Sequence, residues 1–282
     1  MRLKNGVSLG EAEAALREAE LIFQAVTAFV GSRPPYGFDL YEEYMEAVDQ
    51  AHGRLTWVFA EPDLAERLHS TAFWHLASME RSSLGAQKSL IYRETQRQLS
   101  SLEDAKCALE CLKKLAQLPG MPVIYDTNML NHWVQPSDVH WRQVFSAVGL
   151  KVPLVRLVVP MTVIDELDRQ KYGQGDLARK AATAIRYLNR VFSNQNHNMP
   201  VEIRKGEATL EVWYEPGGRR REVDADMEIL RCASDLSQLI PNERTHVLTD
   251  DTGMRLRAQQ MGLSAVRLPE EYRKPGTAIS SP

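Results

Sequence analysis

Residues 117–122, QLPGMP, constrain this chain more than any other stretch. Proline has no backbone N–H to continue a helix, and the Pro119-Gly120 pair ends one, so a helix arriving from upstream must stop here. The apolar period changes across this point. Upstream it is helical: Leu16, Leu21, Ile22, Ala25, Phe29 and Val30 recur at helix spacing, and Pro34-Pro35 then breaks the run. Further helices are predicted around Leu40–Val48, ending near Gly53, over Leu64–Met79, and over Gln87–Leu118. Downstream, short apolar runs at Val123–Tyr125, Val155–Val159, Thr245–Leu248 and Ala265–Leu268 alternate with stretches of helical character. That alternation predicts an α/β class, a three-layer domain with a mainly parallel sheet over residues 121–270. An α-helical domain over residues 1–118 precedes it, and the tail 274–282, KPGTAISSP, is expected to be disordered. Thr209–Tyr214 reads as a strand with Leu210, Val212 and Tyr214 on one face. Pro216-Gly217-Gly218 then reads as a turn into Arg219–Val223, an inserted hairpin.

Composition excludes whole classes. With 282 residues, 44% hydrophobic and 25% charged, the chain has ordinary globular proportions and a length that predicts two domains. No run approaches the roughly 18 apolar residues of a membrane span. The apolar stretch Leu21–Val30 follows Glu11, Glu13, Glu18 and Glu20, where a secretory leader is basic, so a cytoplasmic location without membrane contact is expected. Three cysteines are too few for a disulfide framework. Cys107 and Cys111, four apart on a helix, lack further ligands at zinc spacing and are expected to be buried, as is Cys232. Trp57, Phe59, Phe73 and Trp74 are expected in the helical core.

Charge is informative only when divided. Residues 1–120 carry 13 Lys+Arg against 17 Asp+Glu, whereas residues 121–282 carry 21 against 20. The second half is near neutral because many acids offset many bases, and the positions of those acids matter. In an open α/β sheet, ligands bind beyond the carboxyl ends of the strands. Asp126 follows the first strand directly, in VIYDTNML. Glu166 lies on a helix just past the second, in VVPMTVIDELDRQK. Asp226 opens DMEILRCASDL, and Asp251 follows the third strand in HVLTDDTGMRL. Apolar positions fix each helix's rotation, so all four carboxylates can face one cleft. Gathered carboxylates repel, and a cation relieves them. Oxygen donors without His or Cys suit Mg²⁺ or Mn²⁺. Such an ion activates water and stabilises an in-line phosphoryl displacement. Thr127 and Asn128 are placed to orient water or a phosphate oxygen, and Thr249 to fix a carboxylate. For any one acid, helix capping is the simpler explanation; the ordered set carries the argument.

Those motifs, YDTN, the Glu of VIDELDRQK, the Asp of DMEIL and TDD followed by TGMRLRA, resemble a PIN domain over about residues 121–270. Such domains are metal-dependent ribonucleases. The spacing after the second strand is more similar to the larger PhoH-associated and nonsense-mediated-decay type than to the compact VapC toxins. The resemblance makes Asp126, Glu166, Asp226 and Asp251 the metal-site acids, with Asp224 and Asp250 as helping neighbours. The hairpin and the N-terminal helical domain depart from the family pattern.

Between Asp168 and Arg190 six bases face two acids, a local net of +4. Arg169, Lys171, Arg179 and Lys180 in that segment, Arg219, Arg220 and Arg221 on the expected hairpin, and Arg255 and Arg257 after the Asp pair are placed to track phosphates. No GxGxxG follows a strand and no GxxxxGK[ST] occurs, which excludes nucleotide-cradling loops. The expectation is a Mg²⁺/Mn²⁺-dependent endoribonuclease acting on single-stranded RNA. A protein partner would engage the helical domain, and homo-oligomer formation is open. The competing expectations are a non-catalytic nucleic-acid-binding module and the toxin of a toxin–antitoxin pair.

Overall fold

The computed structural model describes residues 2–31, 37–60, 62–79, 84–193, 199–213, 224–240 and 244–275. The chain divides into two compact units, Met1–Ala116 and Gln117–Pro282. The division falls on the proline–glycine segment for a steric reason. Gly120 adopts φ +107, and a Cβ there would lie 3.1 Å from Leu154 Cγ and 3.2 Å from its carbonyl oxygen. A side chain there is strained and crowded, and the backbone turns from helix into strand.

The first unit is helical among its described residues: α1 (Leu9–Gly31), α2 (Gly37–Val58), α3 (Pro62–Glu66), α4 (Thr71–Ser78) and α5 (Leu84–Ala116). Ala12, Leu16, Ala19, Phe23 and Val26 form the buried stripe of α1, meeting Tyr44, Val48, Ala51 and Leu55 of α2 and Ile91, Leu102 and Leu109 of α5. Several expectations need correction. The second helix continues through Gly53 to Val58. The expected third helix is two, because Ser70 caps a new start, its Oγ accepting from Phe73 N at 3.1 Å. Phe59 and Phe73 are core, but Trp57 and Trp74 are 78% and 60% exposed, and Cys107 and Cys111 are exposed while Cys232 is buried. An i, i+4 spacing places two side chains on one helix face without saying which face is covered. Among the described residues no helix is long and apolar enough to cross a membrane.

The second unit holds a mainly parallel six-stranded sheet flanked by helices. Its strands are β1 (Met121–Tyr125), β2 (Val155–Pro160), β3 (Val201–Arg204), β4 (Ala208–Trp213), β5 (His246–Leu248) and β6 (Ser264–Val266), in the order β3-β4-β2-β1-β5-β6. Every pairing is parallel except β3 with β4. Central β1 and β2 are buried along their whole length, as two-sided burial demands. The helices are α6 (Thr127–His132), α7 (Trp141–Ala147), α8 (Met161–Lys171), α9 (Gly175–Phe192), α10 (Ala225–Leu239) and α11 (Thr252–Gln260).

A hairpin that the sequence did not lead one to expect precedes the predicted one. β4 is a strand, but its antiparallel partner is β3 on the upstream side, joined by a turn at Gly206 with φ +62. The expected face is also interrupted, because Glu211 is buried against Arg156 of β2 while Val212 is half-exposed. Tyr214, the Pro216–Gly218 turn and Arg219–Val223, including Arg219, Arg220 and Arg221, lie outside the described residues. So do residues 276–282 of the expected tail. Lys274, the first residue of that tail, is held firmly: its Nζ donates to the carbonyls of Leu130 and Asn131 at 3.0 and 3.1 Å, and its N–H to His132 O.

Candidate metal centre

Strand register builds the centre of the site. β1 pairs with β5 so that Tyr125 stands opposite Leu248. The next residues, Asp126 and Thr249, therefore leave the sheet side by side, and Thr249 Oγ1 donates to Asp126 Oδ2 at 2.7 Å. The same hydroxyl oxygen accepts from Asp251 N at 3.1 Å. With its lone pair occupied by that N–H, the hydroxyl proton is directed at Asp126. Asp126 caps α6, its Oδ1 accepting from Asn128 N at 3.4 Å. Only 3% of Asp126 is exposed, and burial pushes its carboxyl up to about 6, with Asp226 and Glu166 adding repulsion against the lowering effect of its two donors.

Glu166 sits on α8 beside the buried Val163 and Leu167, and both its oxygens are held. Thr127 Oγ1 donates to Oε2 at 2.7 Å, and Gln170 Nε2 donates to Oε1 at 2.9 Å. Gln170 is itself fixed by the fully buried Asn131, whose Nδ2 donates to Gln170 Oε1 at 2.8 Å. Sequence reading missed Gln170 and Asn131, because neutral amides carry no metal-ligand signature. The i, i+4 spacing of Glu166 and Gln170 was the one available signal.

Asp226 lies on the first turn of α10, three residues before the buried Ile229. Asp224 is that helix's cap, its Oδ1 accepting from Asp226 N at 3.0 Å. Asp251 caps α11, its Oδ1 accepting from Met254 N at 2.7 Å. Burial raises the Asp226 carboxyl, and the like charges of Asp224 and Asp251 add to this; Arg257 opposes it, its Nη1 lying 3.1 Å from Asp226 Oδ2.

These interactions couple Asp126 to Glu166 and Asp226, and Asp226 to Asp224 and Asp251. Yet among the described residues no three His, Cys, Asp or Glu side chains stand close enough to hold one ion together. The donor set fits a hard divalent cation in chemistry, being carboxylates only, and in charge, since Asp126 and Glu166 meet only neutral donors in the contacts above.

Other expected residues are arranged differently. Asp250 is engaged by arginines: it pairs with Arg267 and, at 2.6 Å, with Arg273, whose guanidinium also lies over the Trp133 ring. Thr127 is engaged by Glu166 instead of facing water, and Asn128, exposed, contributes its backbone N–H. Of the expected phosphate contacts, Arg169 and Arg179 are exposed, Lys171 pairs with Asp168 at 2.6 Å, and Arg255 donates to Thr252 Oγ1 at 3.0 Å. Arg179 and Lys180 both pair with Asp176, and Lys180 keeps only 15% of its side chain exposed.

A family model described as the PIN domain matches residues 123–269. No curated protein matches the chain.

Proposed function

The chain belongs to the PIN domain family, a fold of nucleases, since the match spans more than half of its residues; from that premise we propose that it is a Mg²⁺- or Mn²⁺-dependent endoribonuclease cutting single-stranded RNA. The observation that carries this reading is the burial of Asp126 among carboxylates, with its acid pushed up to about 6 and no cation touching it in the contacts described above. When bound, a divalent ion supplies charge neutralisation and activates water. Asp126, Glu166, Asp226 and Asp251 are the residues that would hold it. Thr249 presents Asp126 in one orientation, and Thr127 with Gln170 presents Glu166 in one orientation, so the carboxylates are aimed before substrate arrives. In the reaction water adds to the phosphodiester phosphorus and the 3′ oxygen leaves, giving a 3′-hydroxyl and a 5′-phosphate. Arg169 and Arg179, exposed on α8 and α9, support backbone contact with the nucleic acid.

The first test incubates labelled single-stranded RNA and DNA with the full chain in Mn²⁺, Mg²⁺ or EDTA. RNA cleavage that needs the ion and disappears in Asp126→Asn, with the fold retained, is the expected outcome. Cleavage persisting in EDTA refutes metal dependence, and DNA cleaved in preference refutes the substrate. A second reading, a non-catalytic nucleic-acid-binding scaffold, draws support from Arg257 partly neutralising Asp226; binding without cleavage under every ion would establish it. The exposed Trp57 and Trp74 support a protein-recruiting role for the helical unit.

A further inference from the structure

The reading above calls for a cation at Asp226, and a cation of the chain's own already stands there. α11 carries Arg257 toward the first turn of α10, with its Nη1 3.1 Å from Asp226 Oδ2 and 3.9 Å from Asp224 Oδ2. The neighbouring arginines are engaged elsewhere. Arg255 donates to Thr252, and Arg267 and Arg273 hold Asp250. Asp126 and Glu166 meet neutral donors in the contacts described: a threonine hydroxyl each, a backbone N–H and an amide.

We infer that Arg257 is a resident counter-ion, which occupies Asp226 in the metal-free protein and competes with a divalent ion for that carboxylate. The inference rests on the proposed metal-dependent reading. A guanidinium on Asp226 Oδ2 competes with a divalent ion for that carboxylate, because the two cations repel one another and the lone pair facing the N–H is occupied. The Arg257 side chain is 44% exposed, so it can swing into water at little cost. Arg257 thus has two opposed effects: it relieves repulsion among Asp224, Asp226 and Asp251 when no metal is bound, and it raises the ion concentration needed to load the site.

The test measures Mn²⁺ binding to the full chain, by free-Mn²⁺ electron paramagnetic resonance, for wild type, Arg257→Gln, Arg257→Lys and Arg255→Gln, with circular dichroism to establish folding. Arg257→Gln should bind Mn²⁺ about three- to tenfold more tightly, from loss of the competing charge at partly exposed acids, and lose thermal stability in EDTA. The charge-retaining Arg257→Lys should stay near wild type. Arg255→Gln, which removes a charge nearby without touching an acid, should shift affinity less than about twofold. Half-maximal RNA cleavage by Arg257→Gln should move to correspondingly lower Mn²⁺. A folded Arg257→Gln binding no more tightly than wild type overturns the inference alone, as does an equal gain in Arg255→Gln. Failure of every variant, wild type included, to bind Mn²⁺ overturns the metal-dependent reading as well.

Discussion

Asp126 is the residue on which the most opposing forces converge. A carboxyl raised from its ordinary 3.8 to about 6 is one whose charged form the fold disfavours. In the metal-free protein, this group therefore lends most stability below the unfolded value near 4, and that contribution is lost as pH rises through about 6. A displacement of about two units corresponds to about 3 kcal/mol. Asp126→Asn removes the charge but not the shape. In EDTA its stability relative to wild type should be several tenths to a few kcal/mol higher at pH 8 than at pH 5, by urea denaturation at both values. A pH-independent difference would show that Asp126 is not the titrating group. The place of Asp126 was legible in the sequence because the apolar run Val123–Tyr125 marks a buried strand and where it ends. The ion pairs of Lys180 and Asp250 were not legible, because sequence shows a charge but not its partner: Asp176 lies four residues from Lys180, whereas Arg273 lies 23 from Asp250.

Helices α6 and α8 form one device for aiming Glu166, through Thr127 and through the Asn131–Gln170 pair. Gln170→Ala removes a donor to the carboxylate and leaves Asn131 Nδ2 without its acceptor. Single-turnover cleavage should fall roughly tenfold, while stability falls by about 1 kcal/mol. Unchanged cleavage would mean Glu166 needs no aiming. Asp250 tests the opposite case. It ties the start of α11 to the segment after β6, so Asp250→Ala should cost about 1–2 kcal/mol, with Mn²⁺ affinity unchanged within about twofold. At this scale sequence reading recovered β1, β2, β4, β5 and β6 and the helices bearing the acids. It missed β3, whose turn into β4 at Lys205-Gly206 is a quieter signal than Pro216-Gly217-Gly218, a turn that lies outside the described residues. The longer third helix was wrong because Ser70, read as interior, is a cap.

The whole molecule separates into two units, each with its own buried core. We expect residues 117–282, produced alone, to melt cooperatively and retain Mn²⁺ binding, since every acid and every partner described lies within them. A fragment that binds the ion only when residues 1–116 are added back would show the site to be shared. The near-neutral charge of this half was its most misleading signal. With the four candidate ligand acids set aside, residues 121–282 carry 21 bases against 16 acids. Many of those bases are nevertheless answered by acids on the same helix or turn, as Lys171, Arg179, Lys180 and Arg204 are. Binding to RNA should accordingly show a salt dependence set by few phosphate contacts.

The Thr249 hydroxyl that joins Asp126 to the start of α11 spans 123 residues of chain, and the Thr127–Glu166 contact spans 39. As this domain emerges during synthesis, β1 with its acid comes first, and the strand that delivers Thr249 comes near the end. Contacts of such long separation close late in folding. A chain released early, or one collapsed without β5 in register, holds Asp126 with nothing to aim it. The contact that orients Asp126 is thereby tied to a completed β5, which comes late in the domain's own sequence.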